Sequence, residues 1–173
     1  MNTGTLSEIS ARNEQGEEQM IRGISFEIPN EYGRFLEDIL IPFKVEEHNW
    51  WIGGEESYII IDGKLDTLFS GLIECMEGET LRNVIKNNDY YLIFQDLKAF
   101  PKGIKPIEIK TYDDFLRSNC ELALLVVDSS YTTIYSKNDE LVEGLYANAI
   151  KQNYINIEYI TDENDSRTGL SVW

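Results

Sequence analysis

The sequence predicts an α+β fold: a single domain with a mostly antiparallel or mixed sheet and helices packed mainly on one face. Three observations carry this expectation. In several short segments apolar residues alternate with polar ones, as on a half-buried strand. In others they recur at three- and four-residue spacing, as on one face of a helix. The predicted strands also come in adjacent pairs, whereas a doubly wound parallel sheet would alternate strand and helix. At 173 residues, 42% of them hydrophobic, the chain is long enough for one sizeable core.

Residues 1–19 contain no aromatic side chain and carry Glu8, Glu14, Glu17 and Glu18 against Arg12. They read as a flexible acidic extension, and residues 20–173 as the folded domain. In "MIRGISFEIP", Ile24, Phe26 and Ile28 alternate with Ser25 and Glu27, a strand that Pro29 ends. Asn30 is placed to cap a helix striped by Tyr32, Phe35, Leu36, Ile39 and Leu40, which Pro42 stops. "NWWI" and "SYIIID" flank "GGEE", which predicts a hairpin turning at the glycines.

In "KLDTLFSGLIECM", Leu65, Leu68, Phe69, Leu72, Ile73 and Met76 predict an amphipathic helix closed by Gly78, and "ETLRNVIKNN" a second, shorter one. "DYYLIFQDL" reads as a strand and "KPIEIK" as a short edge strand. Thr111 followed by Asp114 has the form of a capping box before Phe115 and Leu116. The apolar run Leu122–Val127 predicts a central strand buried on both faces, with "YTTIYS" as the next strand. Leu141, Val142, Leu145, Tyr146, Ala149 and Ile150 mark one face of a helix, and "INIEYIT" is the last strand.

Composition narrows the function. A net charge of −16 opposes binding to nucleic acid and to anionic membranes, and would steer a basic protein partner towards the chain. No run approaches the roughly 18 apolar residues of a membrane span, and the first twenty residues do not have the form of a secretory signal. A cytoplasmic location is expected, with Cys75 and Cys120 as free thiols. A catalytic cysteine would need His48, the only histidine, whereas an unpaired buried cysteine ordinarily packs as a small hydrophobe.

The familiar glycine-rich phosphate loops, nucleophile elbow, zinc helix and paired-cysteine motifs do not occur, so no cofactor and no metal site is expected. Asp62, Asp96 and Asp128 each fall where a predicted strand ends. Carboxylates from several strand ends can converge on a divalent cation, which makes these three the candidates for a metal-dependent hydrolase or phosphotransferase. The alternative is that aspartate is common in turns. In the tail "TDENDSRTG", counted from Asp162, the glycine position of a calcium loop holds Arg167 and the twelfth holds Trp173, so that pattern fails. Arg167 is expected instead to close this loop onto one of its acids.

Trp50 and Trp51 are the binding candidates. Neighbours on a strand point to opposite faces, so one indole belongs to the core and the other to solvent, a loop or a partner. Trp173 or the N-terminal extension is the alternative cover.

From "MIRGISFEIPNEYGRFL" through "NWWIGGEESYIIIDG" to "NIEYITDENDSRTGLSVW", the chain resembles a small family of uncharacterised bacterial cytosolic proteins known as a domain of unknown function, over residues 20–173. The resemblance brings no activity, ligand or catalytic residue. By analogy it implies a compact acidic protein that works by contacting another. The leading expectation is a non-enzymatic protein-binding module, inhibitor or immunity-like, and the metal-dependent enzyme is the alternative.

Overall fold

Leu122–Val127, the most apolar run in the chain, lies inside the sheet and sends alternate side chains into two separate cores. The computed structural model describes residues 10–12, 15, 16, 18–69 and 74–172. In chain order the first elements are β1 (Ser10–Arg12), β2 (Glu18–Glu27), α1 (Phe35–Ile39), β3 (His48–Ile61), β4 (Lys64–Thr67), β5 (Cys75–Glu77) and α2 (Gly78–Asn87). There follow β6 (Tyr90–Pro101), α3 (Tyr112–Arg117), β7 (Leu122–Val127), β8 (Tyr131–Ser136), α4 (Asp139–Lys151) and β9 (Ile155–Thr161).

The strands form one sheet. Its main path runs β2-β8-β7-β6-β3-β4, with β1 and β9 paired to β2 and β5 paired to β3. Every pairing among the described residues is antiparallel. On β7, Leu122, Leu124 and Val126 enter one core while Ala123 and Leu125 enter the other. The first core is closed by Leu36 and Ile39 of α1, Leu81 and Ile85 of α2, and Val142 and Leu145 of α4. The second is closed by Phe115 of α3 together with Ile109 and Leu170. Helices therefore pack mainly on one face, as the sequence predicts. Each such aliphatic side chain, once fully buried, contributes about 1.5–3 kcal/mol of transfer free energy.

Helix ends follow local chemistry. The Thr111 hydroxyl accepts from the Asp114 amide at 3.0 Å, and Asn138 Oδ1 accepts from the Leu141 amide at 3.1 Å, so α3 and α4 both begin on side-chain caps. The Asn148 amide of α4 donates to the carbonyls of Asp38 and Ile39, satisfying the C-terminal end of α1.

Several local expectations are overturned. The "GGEE" segment is not a hairpin turn. β3 runs unbroken through it, and the register with β6 shifts between Gly53 and Glu56, a bulge at which Gly54 has φ 81°. The hairpin lies further on, at Asp62 and Gly63, whose φ values of 49° and 74° fit a two-residue turn of the mirror-image type. Lys64–Thr67 accordingly pairs with Ile61–Tyr58 as β4, and Cys75–Glu77 pairs with the start of β3, where a helix was expected. Residues 70–73 of that expected helix lie outside the described residues.

Asn30 does not cap α1. Gly33 bridges Tyr90 of β6, and α1 starts after Arg34, which provides no side-chain cap. Residues 105–110 form no strand, and Ile109 is buried beneath the second face. Within the expected N-terminal extension, Ser10–Arg12 pairs with Glu18–Met20, and residues 1–9, 13, 14 and 17 lie outside the described ones. No helix among the described residues is long and apolar enough to cross a membrane.

Candidate functional site

Trp50 and Trp51 split between the two faces. Trp50 is 0% exposed; its indole N–H donates to the Val45 carbonyl at 3.0 Å and its ring meets Phe43 edge-on. Trp51 is half-buried and packs against the second core. The double glycine makes room on that face. A Cβ at Gly53 would stand 2.3 Å from the Trp51 ring, and one at Gly54 would stand 2.8 Å from a Val172 methyl. Trp173, the alternative cover, lies outside the described residues.

Beneath Trp51 lies a buried ion pair. Lys98, directly across from Trp51 in the β3–β6 register, pairs with Asp96, donates to the Leu170 carbonyl and holds its ammonium 5.3 Å from the Trp51 ring centre. Burial pushes the Asp96 carboxyl up to about 6 and the Lys98 ammonium down, and each charge partly offsets the other's loss of water. A second tie holds the same C-terminal segment. Asp165 accepts from Arg22 at 3.2 Å and from the Tyr135 hydroxyl at 3.0 Å. Arg22, from β2, therefore takes the ion-pair role expected of Arg167.

The three candidate aspartates do not come together. Asp62 is exposed in the β3–β4 turn and Asp128 in the loop after β7, but Asp96 lies within β6, paired with Gly53 and Leu125, and not at a strand end. At about 3.3 Å per residue, Asp62 lies roughly 30 Å along β3 from Asp96, and Asp128 roughly 10 Å along β7. Among the described residues no group of three or more His, Cys, Asp or Glu is placed to hold a metal ion.

His48 is engaged at both ring nitrogens. Nδ1 meets the Lys44 carbonyl at 2.8 Å and Nε2 meets Glu121 at 2.5 Å. It lines a cleft of about 680 Å³ with Pro42, Phe43, Lys137 and Leu141. Beside Glu121, the buried Cys120 thiol donates to the Leu122 carbonyl and is pushed by burial up to about 12, so it stays protonated at neutral pH. Cys75 is exposed on β5.

The arrangement that sequence reasoning missed is a row of tyrosines. The Gly33–Tyr90 bridge sets Tyr32 beside Tyr91, their ring centres 5.3 Å apart. Tyr91 lies opposite Tyr58 on β3, and Tyr58 opposite Thr67 on β4. Tyr90 and Ile59 enter the first core, so Tyr91, Tyr58 and Ile60 point to the other face, outside the cluster beneath α3. Ile60 stands opposite Leu65 in the next row, 58% and 65% exposed, and Tyr32 is 45% exposed. At the end of that row Arg34 pairs with Asp89 at 3.0 Å.

The edge of this patch is blunted. The Asp66 carboxylate accepts from the Thr67 amide at 2.8 Å, which occupies a donor that a docking strand would use.

The family model described as "Protein of unknown function (DUF2691)" matches residues 21–171. The chain belongs to the DUF2691 family. The uncharacterized protein YncE of Bacillus subtilis (strain 168) is 46% identical over 155 residues, covering 88% of this chain and 100% of that protein. No solved structure matches the chain. The DUF2691 match spans the tyrosine row, the Asp96–Lys98 pair and the His48 cleft alike, and it attaches a function to none of them.

Proposed function

We propose that this DUF2691 protein is a non-enzymatic, cytoplasmic binding module that engages a basic protein partner, in the manner of an inhibitor or immunity factor. The observation that carries this is the face on which exposed Tyr32, Ile60 and Leu65 adjoin half-buried Tyr58 and Tyr91. Tyrosine is enriched where proteins meet, and a contiguous exposed apolar surface of this kind marks an interaction site.

Charge selects the partner. Glu31 precedes Tyr32, Asp62 follows β3 and the Asp89 carboxylate is paired with Arg34, within a chain of net charge −16. A second copy would bring like charge against like, and the blunted β4 edge disfavours strand-to-strand pairing. Trp50 and Trp51 support this role from inside: one fills the core, the other braces the second face.

Site-specific photo-crosslinking tests the proposal. A photoreactive residue replacing Leu65 should trap one discrete protein of basic composition, and the adduct should fade at high salt. The same residue replacing Ile150, exposed on α4, should trap none. Identical adducts from both positions, or none from Leu65, would overturn it.

A further inference from the structure

We infer, resting on the binding role proposed above, that the tyrosine row receives arginine side chains of the partner, their guanidinium groups stacked on the rings and paired to the flanking carboxylates. Elsewhere in the fold, aromatic rings are met by cations from the chain itself. Arg22 lies 4.1 Å over the Tyr112 ring, Lys98 5.3 Å over Trp51, and Lys137 4.8 Å over Phe115. At the tyrosine row the nearby guanidinium, that of Arg34, is held by Asp89. Ring faces carry negative potential, and Glu31, next to Tyr32 in the chain, and Asp62, just after β3, add to it. The site is thus complementary to a cation that the partner must bring.

Arginine fits better than lysine. Its guanidinium is planar, weakly hydrated and able to stack and bond a carboxylate at once, whereas an ammonium keeps its water. Adjacent strands are about 4.8 Å apart, so Tyr32 and Tyr58 stand roughly 10 Å apart across Tyr91. An extended segment covers that span in about three residues. Two arginines two or three positions apart therefore reach the outer rings together. Nucleic acid, which also stacks on aromatic rows, is excluded by the surrounding acids.

The test is a titration of the full chain with a short peptide of alternating arginine and glycine at physiological ionic strength, beside its lysine counterpart of equal charge. The arginine peptide should bind roughly fivefold tighter or more, with shifts confined to the tyrosine-ring resonances of the row. Tyr58→Ala and Tyr32→Ala should each weaken it several-fold, and Tyr58→Phe should not. Tyr32 is exposed ahead of α1, so its alanine variant keeps the test valid if Tyr58→Ala unfolds. Equal binding of the two peptides, or binding unchanged in Tyr32→Ala, would overturn the inference. If the Leu65 crosslink persists in that event, the binding role stands and only the guanidinium chemistry falls. If arginine binds the row but no crosslink forms, the chemistry stands without the proposed partner.

Discussion

Lys98 and Asp96 leave β6 on the same side and meet beneath Leu170, both out of contact with water. Burying an ion pair costs desolvation on both members, and removing one leaves the other uncompensated. Lys98→Met should therefore destabilise the fold by about 3–5 kcal/mol in urea unfolding, and adding Asp96→Leu should recover most of it. The pH dependence has a definite sign. The folded Asp96 carboxyl, already raised to about 6, rises further once Lys98 is gone. The folded state then takes up the proton before the unfolded chain, so the variant gains stability as pH falls from about 7 towards 4. A Lys98→Met protein as stable as its parent, with no such slope, would show that the pair is not buried in its charged form. The D-x-K spacing that places both side chains on one strand face was legible, but its burial was not. Burial depends on the C-terminal segment, seventy residues away, crossing that face.

Among the elements, β3 shows why local signals mislead. Paired glycines mark backbone with positive φ, and a bulge asks for it as readily as a turn does. Here the glycines also leave space for a ring. Gly53→Ala should push the Trp51 indole from its seat and cost about 1–3 kcal/mol, with a red shift of tryptophan emission. In a Trp51→Ala background the same change should cost far less, and additive losses would show that the ring is not the obstacle. The turn at Asp62–Gly63 was a legible hairpin signal. The helical spacing of Leu65, Leu68 and Phe69 masked it, and pairing along the outer edge of β3 overrode that periodicity. Side-chain caps such as Thr111 and Asn138 were legible because their chemistry closes within a few residues.

For the whole molecule, a net charge of −16 on one sheet with its helices implies self-repulsion that salt should relieve. Raising ionic strength from low to moderate should lift the melting temperature by roughly 2–4 °C for each kcal/mol of repulsion screened. A melting temperature that falls with added salt would mean that favourable ion pairs outweigh the repulsion. By itself the sequence determined the α+β class, the buried central strand, most of the strands, α4 and the α3 cap, and the sign of the chain's net charge. These follow from periodicity, short-range capping and summed charge, all properties of contiguous residues. Only the tertiary structure decided that Trp51 braces a buried lysine, that Asp62, Asp96 and Asp128 stay apart, and that Tyr32, Tyr58 and Tyr91 form one row. Those depend on register between strands distant in the chain, where a shift of a single residue would turn each side chain to the opposite face.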